Sequence, residues 1–357
     1  MPASDRSDAA WMRRALALAR RGWGQTAPNP MVGAVLVRDG AVVGEGFHAR
    51  FGESHAEVGA LAASGERARG ATLYVSLEPC NHHGQTPPCV DAVIAAGVRR
   101  VVCAAADPGA ESGGGAAFLR TAGIEVALGT LEAEARELNA PFFFAATGAT
   151  RPWVTVKLAL SVEGAIAGAS RERRQLTGPK SLKEVHRLRA NSDAIAVGIG
   201  TVLADDPELT VRWGRRPRVP PLRVVFDRGA RLPPASKLMK TARRLPTLLL
   251  AGPGAPGAGT AAAAKGVQVE QADGLASALQ LLHRRGVRSL LVEGGAALTS
   301  ALIESSMVDR LVIFQAPVLL GAGALPAFAG APGIERLRIV ERKSFGDDLM
   351  TAYALHD

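Results

Sequence analysis

Apolar positions recur along this chain in two rhythms, and their order predicts a layered α/β architecture. Between residues 8 and 22, Trp11, Ala15, Leu18 and Ala19 fall at helical spacing with arginines between them, the pattern of an amphipathic helix. The runs Met31–Val37 and Ala41–Phe47 flank Asp39-Gly40, a tight-turn dipeptide, and read as a β-hairpin. A helix is expected from near His55 to Ala63, a strand at Ala71–Leu77, and a further helix starting within Cys80–Pro88 and ending at Ala96. Strand Arg99–Ala105, helix Gly115–Ala122, strand Ile124–Leu128 and helix Leu131–Ala145 complete a first unit. Strands alternating with helices place it among the α/β folds.

Thr147–Pro152 is the expected linker, so the domains read as residues 1–146 and 151–357. The alternation then restarts with strand Trp153–Leu160, helix Pro179–Ala190 and strands Asp193–Val197, Leu222–Phe226 and Thr247–Ala251. Helix Gly274–Arg285, strand Ser289–Val292, helix Ala296–Ser305 and strands Arg310–Ala316 and Met350–Leu355 follow. Arg215–Pro221 and Gly252–Gly259 read as surface loops. No internal repeat is visible, and without a Gly-Lys dipeptide a Walker-type P-loop is excluded.

Composition narrows the class. A chain of 357 residues can bury two cores. No apolar run approaches the roughly 18 residues that span a bilayer. The polar stretch Met1–Asp8 does not resemble a secretory signal, so a cytoplasmic location without a membrane partner is expected. The net charge of +9 invites a nucleic-acid reading, but the arginines are scattered and aromatics make up only 4%. With no stacking platform or helix-turn-helix signature, no nucleic-acid partner is expected. A positive field serves small anions such as phosphates and NADPH equally well.

The candidate chemistry lies in His55-Ala56-Glu57 and then, after a strand, Pro79-Cys80, eight residues, and Cys89. One imidazole and two thiolates form a ligand set that leaves tetrahedral zinc one open position, where water is acidified towards neutrality. Glu57 can shuttle the proton. This is the spacing of zinc-dependent deaminases, with eight residues between the cysteines in place of the usual two. On a regular helix His55 and Glu57 would diverge, so His55 must sit at the first turn. The thiolate ligands are expected at helix starts, where N–H groups and the dipole favour negative charge. A closed structural zinc site is the alternative, with His82 or His83 as fourth ligand. Cys103, in an apolar run, reads as an inert buried thiol. In the second half, Val292-Glu293-Gly294-Gly295-Ala296 reads as a strand running through glycines into a helix, a possible phosphate cradle.

Asn29-Pro30-Met31-Val32-Gly33, Gly46-Phe47-His48, His55-Ala56-Glu57 and the run from Leu77 to Cys89 resemble the bifunctional riboflavin-biosynthesis deaminase/reductase family. So do Lys157–Ser161, His186–Arg189, Asp193–Ile195, Gly198 with Thr201, Asp205–Arg212 and Gly346–Leu349. The resemblance implies a cytidine-deaminase-like α/β/α layered domain followed by a dihydrofolate-reductase-like α/β domain. It implies Zn2+ on His55, Cys80 and Cys89, Glu57 as proton shuttle, and pyrimidine contacts from Asn29, His48 and His82. In the second domain it implies NADPH along Ala159, Gln175, Thr201, Asp205, Gly295, Ala296, Ala297, Leu298, Thr299, Ser300 and Ala301. Substrate contacts would come from Arg189, Leu209, Arg212 and Glu293, the two arginines facing its phosphate, with Lys157 steadying the opened sugar.

The implied reactions are deamination of a diaminopyrimidinone ribosyl phosphate and then NADPH-dependent reduction of ribosyl to ribityl. A homo-oligomer is expected. The chain departs from the family at Gln85, where Lys or Arg is usual, and at Gly109-Ala110, where Asn-Pro is usual. Gly113-Gly114-Gly115-Ala116 replaces a Gly-x-Gly, and Arg173 and Gln175 replace a serine and a tryptophan. A deaminase with an inactive reductase-like domain is one alternative. A nucleic-acid base deaminase is another, opposed by the long gap between the cysteines.

Overall fold

The computed structural model describes residues 3–84, 87–170, 175–255, 262–263, 265–328 and 337–356. The chain divides into two compact units, Met1–Gly148 and Ala149–Asp357.

The first unit contains α1 (Ala3–Ala19), β1 (Gly33–Arg38), β2 (Ala41–Phe47), α2 (Ala56–Ser64), β3 (Thr72–Leu77) and α3 (Cys89–Ala95). It continues with β4 (Arg100–Ala105), α4 (Gly115–Thr121), β5 (Glu125–Leu128), α5 (Glu132–Leu138) and α6 (Ala140–Ala146). Its strands run in the order β2-β1-β3-β4-β5, with β1 antiparallel to both neighbours and β3, β4 and β5 mutually parallel. The predicted hairpin turns at Asp39 and Gly40, both with positive φ (53° and 74°), as a two-residue turn between twisted strands requires.

Successive strand side chains point to opposite faces, so a sheet buried on both sides carries apolar residues at every position. On one face Ala34, Leu36, Leu73, Val75, Val101 and Cys103 pack with Ala56 and Ala60 of α2, Val90 and Val93 of α3, and Leu119 of α4. On the other, Val35, Val37, Tyr74, Val102 and Ala104 pack with Met12, Ala15 and Leu16 of α1, Ala135 of α5 and Phe143 of α6. The result is the three-layer deaminase-like arrangement expected from the sequence.

Two expectations are corrected here. The predicted helix over 131–145 is broken at Asn139, whose backbone (φ −117°, ψ 29°) is not helical. Its buried amide accepts the N–H of Met31 at 2.8 Å and donates to the Met31 carbonyl at 2.9 Å, a long-range pairing that displaces helical continuity. The helix expected to begin between Cys80 and Pro88 begins only at Cys89, after two prolines that cannot donate backbone hydrogen bonds. Cys80 therefore lies in extended chain beyond β3 and not at a helix start.

The second unit contains β6 (Trp153–Leu160), β7 (Ala165–Ala167), α7 (Pro179–Ala190), β8 (Ala194–Gly198), α8 (Ile199–Asp205), β9 (Leu222–Phe226), α9 (Lys237–Thr241), β10 (Thr247–Ala251) and β11 (Gln268–Gln271). The helix Gly274–Arg284, β12 (Ser289–Glu293), the helix Ala296–Glu304, β13 (Arg310–Gln315), β14 (Leu325–Pro326), β15 (Arg338–Phe345) and β16 (Asp348–Ala354) complete it. Among the described residues its main sheet runs β11-β10-β9-β8-β12-β6-β13-β16-β15. From β11 to β13 the strands are parallel, and β16 and β15 close one edge as an antiparallel pair.

The elements absent from the sequence reading are short, at sheet edges, or without a one-sided apolar pattern. The edge strand β15 reads Arg-Ile-Val-Glu-Arg-Lys-Ser-Phe with no buried position, and α8 starts directly where β8 ends. Part of the expected Gly252–Gly259 loop lies outside the described residues.

The seating of α2 depends on glycine in β2. A Cβ on Gly46 would stand 2.2 Å from the Ala56 carbonyl oxygen, so helix and strand touch backbone to backbone. Gly46→Ala is therefore expected to push α2 off the sheet and cost about 2–3 kcal/mol. Thermal denaturation checks the loss, and an unchanged Tm with unchanged deaminase activity would refute it.

Candidate active sites

His55 is the N-cap of α2, with extended backbone (φ −70°, ψ 163°), and Glu57 sits in the first turn. That break in helical geometry lets two side chains only two residues apart face one centre, as the sequence requires. Cys80 follows the carboxyl end of β3, and Cys89 opens α3. Their ligand atoms and that of His55 lie within 4.8 Å of one another. The His55 Nδ1 atom is 3.2 Å from Cys89 Sγ and 3.6 Å from Cys80 Sγ. Tetrahedral zinc, with bonds of about 2.0 Å to nitrogen and 2.3 Å to sulfur, places such atoms roughly 3.5 Å apart, so the three residues fit the metal. Neither His82 nor His83 joins the group, which leaves its fourth side without a protein ligand among the described residues.

The electrostatics suit thiolate and a proton carrier. The Cys89 thiol, the Cys89 backbone N–H at 3.4 Å and the His55 ring hold Cys80 well below the usual thiol range, at about 4. Glu57 is buried, and desolvation lifts its carboxyl to about 7 against the opposing charge of His55. A carboxyl balanced near neutrality can take a proton and return it. Cys103 is wholly buried on β4, and burial pushes its thiol far up, as expected of an inert packing residue.

A cavity of about 610 Å³ opens onto this cluster. Asn29, His48 and His82, the expected pyrimidine contacts, all line it together with His55, Glu57 and Cys80. His48 Nδ1 lies 3.3 Å from the Ser54 carbonyl and Nε2 lies 3.5 Å from the Asn29 amide nitrogen. With Nδ1 donating to Ser54, Nε2 is left as an acceptor. Burial lowers the His48 pKa, against the opposing hydrogen bond to Ser54. His82 Nδ1 is buried without a hydrogen-bond partner. Asp107, Gly109 and Ala110, of the loop marked in the sequence as a departure from the family, also line the cavity, as do Glu78, Glu111, Ser112 and Phe142, which the sequence reading missed. Gln85 lies outside the described residues.

In the second unit Lys157 on β6 and Glu293 on β12 are register neighbours, their charged ends 3.4 Å apart. Arg189 reaches from α7 with a two-pronged bond to the same carboxylate (2.5 and 2.8 Å) and donates to the Thr210 carbonyl at 3.0 Å. Burial alone would raise Glu293, yet Arg189 and Lys157 hold it well below the carboxylate range.

The Arg189 fork, expected on a phosphate, is thus occupied by Glu293. Arg212 is the half-exposed cation nearby, contacting Glu208 at 3.1 Å and Thr210 Oγ1 at 3.2 Å. Leu209, the other expected substrate contact, lies beside this segment in sequence. Its side chain is buried in the core with φ at +51°, so only its backbone can meet a ligand.

A second cavity, of about 660 Å³, runs over the carboxyl ends of β8, β9 and β10. Of the residues 295–301, Ala297, Leu298 and Ala301 line it. Ala296, Thr299 and Ser300 are buried instead, because a helix presents only one face to a cleft. Gly295 caps that helix, and its N–H donates to Thr201 Oγ1 at 3.1 Å. Ala159, Gln175, Thr201 and Asp205 do not line this cavity, and the Gln175 amide bonds to Thr177. Arg228 and Arg231 stand in its wall beyond β9, cations that carried no signature in the sequence. Arg173 lies outside the described residues.

Comparison with known proteins joins the two sites. Residues 5–105 match the cytidine and deoxycytidylate deaminase zinc-binding region, and residues 152–351 match the RibD C-terminal domain. The riboflavin biosynthesis protein RibD of Aquifex aeolicus is 41% identical over 349 residues, covering 96% of this chain and 97% of that protein. That of Escherichia coli is 40% identical, covering 92% and 93%. This chain belongs to the RibD family.

Solved RibD structures agree with the fold. The Acinetobacter baumannii protein superposes with a TM-score of 0.83 at 36% identity, covering 98% of this chain and 99% of that one. A Thermotoga maritima structure, described as a diaminohydroxyphosphoribosylaminopyrimidine deaminase/5-amino-6-(5-phosphoribosylamino)uracil reductase, gives 0.84 at 32% identity with the same coverage. As a RibD protein the chain is a zinc-dependent deaminase joined to an NADPH-dependent reductase. No helix among the described residues is long and apolar enough to cross a membrane.

Two predictions follow from these sites. Cys80→Ser is expected to lower bound zinc by at least about tenfold and abolish ammonia release, checked by elemental analysis of the purified protein. In the reductase unit His186 Nδ1 accepts the Arg212 backbone N–H at 3.1 Å, and burial with the charges of Arg189 and Arg212 lowers the ring from 6.5 to about 4. Between those values the unfolded chain binds a proton that the folded chain refuses. This contribution is therefore complete above pH 6.5 and is lost as pH falls towards 4, up to ~3 kcal/mol. Denaturant titrations at neutral pH and near pH 5 should show a loss that His186→Gln reduces, and an equal loss in both proteins would refute it.

Proposed function

We propose that this RibD enzyme deaminates 2,5-diamino-6-(5-phosphoribosylamino)pyrimidin-4(3H)-one in its first unit. Its second unit then reduces the ribosyl group to give 5-amino-6-(5-phosphoribitylamino)uracil. The observation that carries the reading is the convergence of three candidate zinc-ligand atoms and the buried Glu57 carboxyl at an open cavity.

Zinc on His55, Cys80 and Cys89 supplies Lewis acidity towards water at neutral pH, and NADPH supplies the reducing equivalent. The remaining work belongs to the chain. Glu57 takes a proton from the water that bonds to the amino-bearing carbon and passes it to the departing nitrogen. The carbon–nitrogen bond breaks and ammonia leaves. Asn29 and the His48 Nε2 acceptor orient the ring, and His82 contributes a further polar edge. In the reductase unit Arg212 holds the substrate phosphate. Lys157, fixed by Glu293, donates a hydrogen bond to the sugar oxygen as the anomeric carbon is reduced. Arg189 acts through Glu293 and not on the phosphate. NADPH lies along the cavity bordered by Ala297, Leu298 and Ala301.

A cytoplasmic enzyme that engages neither nucleic acid nor membrane fits this chemistry. Homo-oligomer formation belongs to the same proposal, supported by exposed Ile339 and Leu349 on the paired strands β15 and β16, and light scattering measures it directly.

Ammonia release and NADPH oxidation, followed together on the diaminopyrimidinone, test the two-step reading. Both signals are expected in the native enzyme and neither in Glu57→Ala. Supplying the deaminated product to that variant should restore NADPH oxidation alone. Ammonia without NADPH oxidation in the native enzyme would mean that the second unit does not reduce.

A further inference from the structure

We propose that Glu78 is a positioning residue that clasps residues 107–116 as a strap over the deaminase cavity, so that backbone shape, and not side-chain identity, closes this wall. The inference rests on the deaminase reading of the site. Glu78 lies at the carboxyl end of β3, two residues before Cys80, and is buried. One carboxylate oxygen accepts the Asp107 N–H at 2.9 Å and the other accepts the Ala116 N–H at 2.7 Å. A single side chain thereby holds both ends of the strap. Its own N–H donates to the Ala105 carbonyl at 2.9 Å, which anchors the clasp to β4.

The strap is knotted internally. Asp107 accepts the Gly109 N–H at 2.8 Å and a hydrogen bond from the Ser112 hydroxyl. Gly113 N–H donates to the Gly109 carbonyl at 2.9 Å. The Ser112 carbonyl accepts the Asn81 N–H at 3.1 Å, tying the strap to the chain beside Cys80. A Cβ on Gly109 would stand 2.1 Å from Ser112 Oγ, so a side chain there would have to turn the Ser112 hydroxyl aside, while the main-chain bonds of the strap need not change. Asp107, Gly109, Ala110, Glu111 and Ser112 form the cavity wall. The departure from the family's usual Asn-Pro at Gly109-Ala110 is thus compatible with a closed wall, because the closure is carried by main-chain bonds to a buried carboxylate. Such charge-assisted bonds are among the stronger ones available.

The test uses the full chain loaded with zinc. In Glu78→Ala the KM for the diaminopyrimidinone is expected to rise about tenfold or more, with kcat changed by less than about threefold. Bound zinc should be unchanged, and amide hydrogen exchange over 107–116 should accelerate. Glu78→Gln retains one acceptor oxygen and should fall between the two. NADPH oxidation with the deaminated product should be native in every variant, which shows that the second unit is intact, while unchanged bound zinc reports the fold of the first.

An unchanged KM in Glu78→Ala would overturn the proposal. So would loss of zinc with unaltered exchange in the strap, since Glu78 would then serve the metal ligand. Absence of ammonia release from the native enzyme would instead overturn the deaminase reading itself.

Discussion

The deaminase unit depends on the seating of α2 against β2. Backbone contact at Gly46 sets the depth of that helix, and the helix is capped by His55, one of the three residues that could hold a metal ion. Because His55 is the cap and Glu57 the first turn, the two side chains converge although a continuous helix would separate them. Burial of α2 over the sheet also strips water from Glu57, and that desolvation lifts its carboxyl into the range where it can both accept and return a proton. Packing and catalysis therefore share one cause: a helix seated closer would clash, and one held further out would leave Glu57 hydrated and acidic.

The reductase unit solves a different electrostatic problem. Glu293 is buried at the end of a central parallel strand, where a lone carboxylate would be costly. Lys157 from the adjacent strand and Arg189 from α7 neutralise it and in doing so fix their own positions. Arg189 is thereby committed to Glu293, while Arg212 stays the more exposed of the two arginines. His186 supports Arg212 by accepting its backbone N–H, which couples that segment to the protonation of a buried ring. The second cleft, of about 660 Å³, lies over the carboxyl ends of parallel strands, where the geometry of open α/β sheets places ligands.

Much of this organisation was legible in residue order. The hairpin at Asp39-Gly40, the buried strands of both units and the His-Ala-Glu with two cysteines each carry a local signature. The elements that escaped, α8, β11 and β15 among them, are short, on edges, or without one-sided apolarity, so their existence rests on neighbours and not on pattern. Asn139 shows the same limit inside a helix: nothing local distinguishes it, yet its bonds to Met31, 108 positions away, divide the predicted element in two.

By itself the sequence determined the chemical inventory: which side chains can bind zinc, which carboxyl stands near them, and which strands must be buried on both faces. Those properties follow from residue type and short-range spacing. Tertiary structure alone decided availability. It occupied the Arg189 fork with Glu293, turned Leu209 into the core, hid Thr299 and Ser300 while leaving Ala297, Leu298 and Ala301 on the cleft, and set Arg228 and Arg231 into its wall. The physical reason is that a side chain's role depends on the partners and the water left to it after folding, and residues far apart in the chain supply both.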